Sequence, residues 1–221
     1  MGWPELLVLV RHAESEGNVL SSDERGGLAT PSHRYGLTER GRKQAAITGA
    51  YLRETYPEGF HLYYNSHYLR VQETMRIMCP NPKIEIYEDP RLAEGNRGIW
   101  SDMTEADIRK YYPAEFDRKQ KQGFYDYRPI GGENWPDVEL RIHSFIGTLS
   151  RDAEGKKVLV AVHGFWFFLF RRLVERFSVQ EARERWSTEN VENASVSVYK
   201  GNAYFGLERV QLNFVPWQDK L

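Results

Sequence analysis

Leu6-Leu7-Val8-Leu9-Val10-Arg11-His12 is the stretch on which the reading of this chain turns. Five consecutive apolar residues make a strand without a wet face, the pattern of a strand covered by helices on both sides. Such a strand belongs to a mostly parallel α/β sheet, and this one stops at Arg11-His12, which sets polar side chains at its carboxyl end. Val158 to Val162 repeats the arrangement and runs into His163-Gly164. In an open α/β sheet the ligand crevice lies at the carboxyl ends of the strands, so both histidines are drawn toward one pocket.

Periodicity and breakers supply the other elements. Residues 17–35, rich in Ser, Asp, Gly and Pro, read as a long loop. Leu37-Thr38 then opens a helix with Ala45, Ala46, Gly49 and Leu52 as its inner face, closing a βαβ unit. His61 to Asn65 reads as a second strand, with Ser66 as N-cap of a helix carrying Arg70, Glu73, Thr74 and Met78. Ile84 to Tyr87 reads as a third strand. Helical patterns over Thr104 to about Gln120 and Trp135 to about Arg151, separated by the stretch 123–132, form a lobe over the sheet. Phe165 to Phe177 is a very apolar helix, and Ser195 to Tyr199 and Tyr204 to Val210, joined through Lys200-Gly201-Asn202, form a closing hairpin. The expected architecture is a three-layer α/β/α fold. It has a mostly parallel central sheet, one antiparallel edge strand or C-terminal hairpin, and a small helical lid inserted at about 98–135 of a single domain, 1–221.

The chain has 221 residues, 41% of them hydrophobic, 28% charged and 14% aromatic, the make-up of a folded soluble domain. Lysine and arginine number 30 against 31 acidic residues, for a net charge of −1. No overall field draws it to nucleic acid or to an anionic membrane, so any anion must be captured by local residues. The single cysteine, Cys79, excludes an internal disulfide framework, and no Cys/His array has zinc-finger spacing. Leu6 to Val10 is too short for a signal peptide or a membrane span, which gives a cytoplasmic expectation.

Arg11 beside His12, and Arg70 one turn beyond the second strand end, offer two planar guanidinium forks suited to a tetrahedral dianion. Asn18 adds a neutral donor from the loop. Glu94, within Leu92-Ala93-Glu94-Gly95-Asn96-Arg97-Gly98, reaches the crevice from above, where a carboxyl can protonate a leaving alkoxide; an ordinary ion pair with Arg91 or Arg97 accounts for it equally well. Taken singly, a strand-end histidine also reads as backbone-bonded and structural, and an arginine as a solvated surface residue. His33, His61, His67 and His143 are scattered, with no i, i+4 pair, and suggest no metal. Trp166-Phe167-Phe168 and Phe124-Tyr125 read as core or lid packing, with Trp135 and Tyr125 near a substrate entrance.

At these residues, and over most of its length, the chain closely resembles the histidine phosphatase superfamily, which also contains the cofactor-dependent phosphoglycerate mutases. Arg11-His12-Ala13-Glu14-Ser15-Glu16-Gly17-Asn18 is similar to its Arg-His-Gly/Ala-Glu-Ser and Asn signature. Leu37-Thr38, Gly41 and Gln44-Ala45 follow its next pattern; Ser66, Arg70 and Glu73-Thr74 its third; Val162-His163-Gly164 its last. The resemblance implies that His12 is the nucleophile of a phosphohistidine intermediate and Glu94 the proton donor. It implies that Arg11, Arg70 and a cationic His163 bind and neutralise the phosphoryl group, with Asn18 and Gly164 assisting. Neither metal nor cofactor is implied, and the substrate is a small phosphorylated molecule such as a sugar phosphate or phosphoglycerate. One ring nitrogen of His12 should be fixed by an acceptor such as a backbone carbonyl, leaving the other to attack.

The middle of the chain, with Met103-Thr104, Ile108, Tyr112 to Phe116, Tyr125 to Pro129 and Gly132-Glu133, resembles the fructose-2,6-bisphosphatase domains and related small phosphatases. Glu105, Lys119, Gly123 and Gly164 depart from their second-phosphate pocket, losing positive donors and gaining a carboxylate, which disfavours a second phosphate. The Gly-Leu-Asn-Lys stretch that follows the acid in mutases is absent. Phosphatase activity is therefore the expectation, with mutase-type phosphotransfer or phospho-ligand binding as alternatives.

Overall fold

In the computed structural model, which describes residues 2–26, 28–203 and 206–221 and of Ser22, Gly26 and Asp102 only the backbone, the stretch at the N-terminus is a central strand. Its strands are Leu6–Arg11 (β1), Leu62–Asn65 (β2), Tyr87–Glu88 (β3), Lys157–Val162 (β4), Val196–Asn202 (β5) and Gly206–Phe214 (β6). They form one sheet in the order β3-β2-β4-β1-β5-β6. β1, β4, β2 and β3 are parallel to one another, while β5 is antiparallel to β1 and to β6. The mostly parallel sheet with a C-terminal hairpin is thus as expected.

The helices are Glu16–Val19 (α1), Ser22–Gly26 (α2), Glu39–Thr55 (α3), Leu69–Met78 (α4), Ile99–Asp102 (α5), Glu105–Tyr111 (α6), Pro113–Asp126 (α7), Trp135–Asp152 (α8), Gly164–Val174 (α9) and Val179–Thr188 (α10). Alternate residues of the central strands face opposite layers. Leu7, Leu9, Val158, Val160 and Val162 pack with Val138, Ile142 and Phe145 of α8 and with Trp166 to Phe170 of α9. Leu6, Val8, Val10, Leu159 and Ala161 pack with Leu52 of α3 and Val71, Met75 and Met78 of α4. Both faces are dry, so β1 and β4 needed no polar alternation. No helix among the described residues is long and apolar enough to cross a membrane.

Several local expectations are corrected. Residues 17–35 are not one loop: α1, α2 and a 3-10 turn at Ser32–Arg34 interrupt them, the second nucleated by reciprocal bonds between Ser21 and Glu24, and all are too short to leave a periodic signal. Ala46 is exposed; the inner face of α3 is Gly41, Gln44, Ala45, Thr48, Gly49 and Leu52. β3 is only Tyr87–Glu88, paired with Tyr64 and Asn65 of β2, so Ile84 to Ile86 stand outside the ladder. α4 is capped by Tyr68, not Ser66, whose hydroxyl is engaged elsewhere. Lys200 to Asn202 are ladder residues rather than the hairpin joint, facing Glu208, Leu207 and Gly206. Tyr204, the expected start of the last strand, lies outside the described residues. α10 was not expected.

Gly41 sits where α3 presses on the chain just past β1, so that a Cβ there would stand 1.9 Å from the Glu14 carbonyl oxygen. Gly41→Ala should lower stability by about 1–3 kcal/mol in urea unfolding. Gly147→Ala, in the interior of α8 with nothing within 4 Å of its new Cβ, should instead raise it by about 0.5–1 kcal/mol.

Candidate active site

The register of β1 against β4 builds the first half of the site. The His12 N–H donates to the Val162 carbonyl at 2.8 Å, so His12 and His163 leave adjacent parallel strands at the same level. Their rings stand edge to face, 5.3 Å apart. Ala13 N–H donates to Thr74 Oγ1 at 3.0 Å, and that hydroxyl donates to the Arg70 carbonyl at 2.7 Å, tying the end of β1 to α4. Asn193, which the sequence did not single out, donates from Nδ2 to the His12 carbonyl at 2.9 Å and to Asn18 Oδ1 at 3.3 Å. Ala194 beside it has φ 51°, an uncommon conformation for a residue with a Cβ. Its N–H is shared between the carbonyls of Arg11 and His12.

Arg70 brings the histidines together. Its Nε–H donates to His12 Nε2 at 3.1 Å, Nη2 faces His163 Nδ1 at 3.2 Å, and Nη1 donates to the Ser32 carbonyl at 2.8 Å. A guanidinium can only donate, so both facing ring nitrogens carry lone pairs. The remaining nitrogens are then the donors: His12 Nδ1–H to the Ala13 carbonyl at 2.8 Å and His163 Nε2–H to Ser66 Oγ at 2.9 Å. Burial first, then the charge of Arg70, holds both histidines well below the usual value of 6.5, with Arg11 adding to the effect. His163 is therefore neutral beside Arg70, which corrects its expected cationic form. The backbone carbonyl expected to fix His12 is that of Ala13.

Arg11 and Arg70 are themselves pushed below the ordinary arginine range by burial, an effect that the charge of Glu94 opposes. Arg11 Nη1 donates to the Val191 carbonyl, while its buried Nε has no hydrogen-bond partner among the described residues. A Cβ at Gly164 would come within 3.3 Å of that Nε, so the glycine makes room for the guanidinium at the start of α9. Glu94 follows a 3-10 turn at Pro90–Leu92 and points at the same helix start. Its Oε1 accepts from Gly95 N–H at 3.0 Å and Trp166 N–H at 3.2 Å. Arg141, also unsuspected from sequence, holds this segment by donating to the carbonyls of Arg91, Ala93 and Glu94. Arg91 is paired with Asp89 at 2.6 Å, and Glu94 makes no ion pair among the described residues, which removes the plain ion-pair reading.

Arg11, His12, Asn18, Arg70 and Glu94, drawn from four segments, line one cavity of about 240 Å³, with Arg25, Arg97 and Trp100 at its margin. Asn18 Oδ1 accepts from the N–H and hydroxyl of Ser15, each at 3.0 Å, which leaves its NH₂ as the donating half. His163 and Gly164 were expected among the phosphate contacts, but neither lines the cavity. His163 is 0% exposed, with Nδ1 against Arg70 Nη2. Glu105 is also not a wall residue: it pairs outward with Arg109 at 2.6 Å, so it does not oppose a second anion as expected. Lys119 packs on the Trp100 ring and lines a neighbouring aromatic cavity of about 420 Å³ with Trp135, Phe165 and Trp186. Tyr125 does not reach it and bonds to Glu139 at 2.8 Å. Trp166 to Phe168 are core. No group of three or more metal-ligating side chains occurs among the described residues.

The depressed histidines set a pH dependence. Unfolded, His12 and His163 take up protons as pH falls through 6.5, whereas folded they do not, so stability present above 6.5 is lost on the way down to their folded values. The free energy of unfolding should fall by about 1.4 kcal/mol per pH unit for each histidine in that window. Urea titrations at successive pH values should show a shallower decline in His163→Asn than in the parent.

Residues 7–208 match the family model described as histidine phosphatase superfamily (branch 1). The chain is 29% identical over 157 residues to phosphoserine phosphatase 1 of Hydrogenobacter thermophilus, covering 71% of this chain and 70% of that protein. It is 33% identical over 168 residues to a 2,3-bisphosphoglycerate-dependent phosphoglycerate mutase of Parvibaculum lavamentivorans, covering 73% and 75%. Its fold matches the crystal structure of the α-ribazole phosphatase from Shigella flexneri with a TM-score of 0.76 at 23% identity, over 94% of this chain and 96% of that one. The ordered motifs and the match over residues 7–208 agree, and the chain belongs to the histidine phosphatase superfamily.

Proposed function

We propose that this protein hydrolyses small phosphate monoesters through a phosphohistidine on His12, without a metal or cofactor. The observation that carries the reading is the fixed tautomer of His12: Nδ1–H is held by the Ala13 carbonyl, and the Nε2 lone pair is kept unprotonated beside Arg70. A phosphoryl oxygen entering between them takes over the Arg70 Nε–H, and Arg11 supplies the second fork, with Asn18 assisting. His163 and Gly164 support these two guanidiniums. His12 Nε2 attacks phosphorus, the ester P–O bond breaks, and Glu94 gives its proton to the departing oxygen. The Nδ1–H bond to Ala13 bears the positive charge that develops on the ring. Water then attacks phosphorus, Glu94 takes the water proton, and the P–N bond breaks to return neutral His12 and inorganic phosphate. Positioning and charge stabilisation do most of the work in such a transfer.

The helices α5 to α7, at about 98–135, serve as the lid of this single domain and carry its selectivity. The relatives named for phosphoserine and phosphoglycerate favour a small phosphorylated substrate. The similarity to mutases, 33% identity, supports the second reading, in which the phosphoenzyme passes its group to another hydroxyl instead of to water. The single free thiol at Cys79 fits a cytoplasmic setting.

Rapid acid-free quench with a ³²P-labelled ester should trap an acid-labile phosphate that His12→Ala does not form, and His12→Ala should lose roughly 10⁴-fold or more in kcat. Full activity in that variant would sink the reading. Glu94→Gln should cost roughly 10²- to 10⁴-fold with alkyl esters, and chelator should leave turnover intact. With 2-phosphoglycerate as substrate, inorganic phosphate should outrun formation of 3-phosphoglycerate; the reverse would favour the mutase.

A further inference from the structure

Tyr68 lines the catalytic cavity with His12, Arg70 and Glu94. It is the N-cap of α4, where its carbonyl accepts from the N–H groups of Val71 at 2.9 Å and Gln72 at 3.1 Å, and its own N–H donates to Ser66 Oγ at 3.3 Å. Arg70, two residues on, lays its guanidinium 4.7 Å from the centre of the Tyr68 ring. The ring also meets His163 at 4.8 Å and His67 at 4.9 Å, both edge to face, so packing rather than its polar end holds the phenol in place. The hydroxyl itself has no hydrogen-bond partner among the described residues, and it is not sealed from solvent. Burial pushes it above the usual tyrosine value, Arg70 opposes that and Glu94 adds to it, so a neutral phenol stands within the field of both groups.

A water that attacks the phosphohistidine must stand opposite His12 Nε2, in the place the ester oxygen has left, beside Glu94. Glu94 Oε1 is committed to the N–H groups of Gly95 and Trp166, which leaves Oε2 to carry the proton. Water differs from every alcohol in bringing two O–H groups. Glu94 takes the hydrogen of one, and the other needs an acceptor of its own if the nucleophile is to be held in line. The guanidiniums of Arg11 and Arg70 can only donate. Asn18 Oδ1 is engaged by Ser15, and the Ser32 carbonyl by Arg70. The phenol oxygen of Tyr68 has its lone pairs unclaimed.

We propose that Tyr68 is a catalytic residue of the second step, in which its phenol oxygen accepts the hydrogen of the attacking water that Glu94 does not take, so that the phosphoenzyme passes its group to water in preference to an alcohol. This rests on the phosphatase reading of the same cavity. As the water oxygen bonds to phosphorus, the P–N bond breaks and returns its electron pair to His12 Nε2. One water proton goes to Glu94, which regains the proton given to the leaving group, and the other stays on the new phosphate oxygen, still bonded to Tyr68. An alcohol in the same place presents carbon where Tyr68 accepts a hydrogen, and the transfer loses that bond.

Rapid-quench single turnovers of ³²P-labelled p-nitrophenyl phosphate, with enzyme in excess, follow the rise and the decay of the phosphohistidine separately. Tyr68→Phe keeps the ring against Arg70 and His163 and removes only the hydroxyl. It should leave the rise within about twofold of the parent and slow the decay by about tenfold, the loss of one hydrogen bond. With glycerol present, the ratio of glycerol phosphate to inorganic phosphate should rise by about the same factor. That ratio does not depend on how much of the enzyme is folded. Tyr68→Leu, which loses the ring as well, should slow both phases. A decay unchanged in Tyr68→Phe, or rise and decay slowed alike with the product ratio unmoved, overturns the proposal and leaves the phosphatase reading standing. A parent that forms no phosphohistidine overturns that reading and this proposal with it.

Discussion

Arg70 is a buried cation, 8% exposed, whose hydrogen-bond partners are all neutral: His12 Nε2, His163 Nδ1 and the Ser32 carbonyl. The Tyr68 ring lies 4.7 Å below it. Removing a guanidinium from water without a counter-ion costs several kcal/mol, and the fold recovers that only in part through these dipoles and the more distant Glu94. The tautomers of both histidines, the role of Ser66 and the placing of Ser32 all follow from the need to satisfy this one group. A phosphoryl dianion supplies the charge that the protein withholds, so the arrangement is complementary to the reacting group rather than to itself.

The supports are correspondingly indirect. Thr74 ties Arg70 to Ala13, Asn193 ties His12 to Asn18, and Arg141 ties Glu94 to the carbonyls around it. Each of these reaches a site residue through the backbone or through another side chain. Positive φ at Ala194 is a further cost lodged next to His12, of the order of 1 kcal/mol. Stability is surrendered locally and recovered in the two apolar layers, where a buried Leu or Phe contributes about 1.5–3 kcal/mol.

What the sequence made legible follows the same division. β1 and β4 were readable because strands dry on both faces are continuous apolar runs, and the histidines were readable because they end those runs. β3 was misplaced because only two residues, Tyr87 and Glu88, enter the ladder with β2, too few to leave a local pattern. α10, whose Val179–Thr188 stretch has only Ala182 fully buried, carries too little apolar periodicity to be seen. Ser66 has the residue type of an N-cap, but the buried Nε2–H of His163 competes for its hydroxyl. Glu105 read as a pocket carboxylate from the family resemblance alone, yet an Arg one helical turn away, Arg109, draws it outward. Arg25 and Arg97 lie in different segments, and nothing in the spacing of two arginines tells that they share a cavity.

The parallel pairing of β1 with β4 joins a strand near the start of the chain to one near its end, with α3 to α8 between them. Pairings of this kind form late, because the entropy of closing so large a loop must be met before the contacts reward it. Neither histidine has its neighbour until that step is complete, and a slip of one residue would turn His12 to the opposite face of the sheet. A partly folded form that lacks this pairing therefore lacks the contacts with Ala13 and Arg70 that fix the His12 tautomer, so the site is assembled by the last long-range step of folding rather than by any local element.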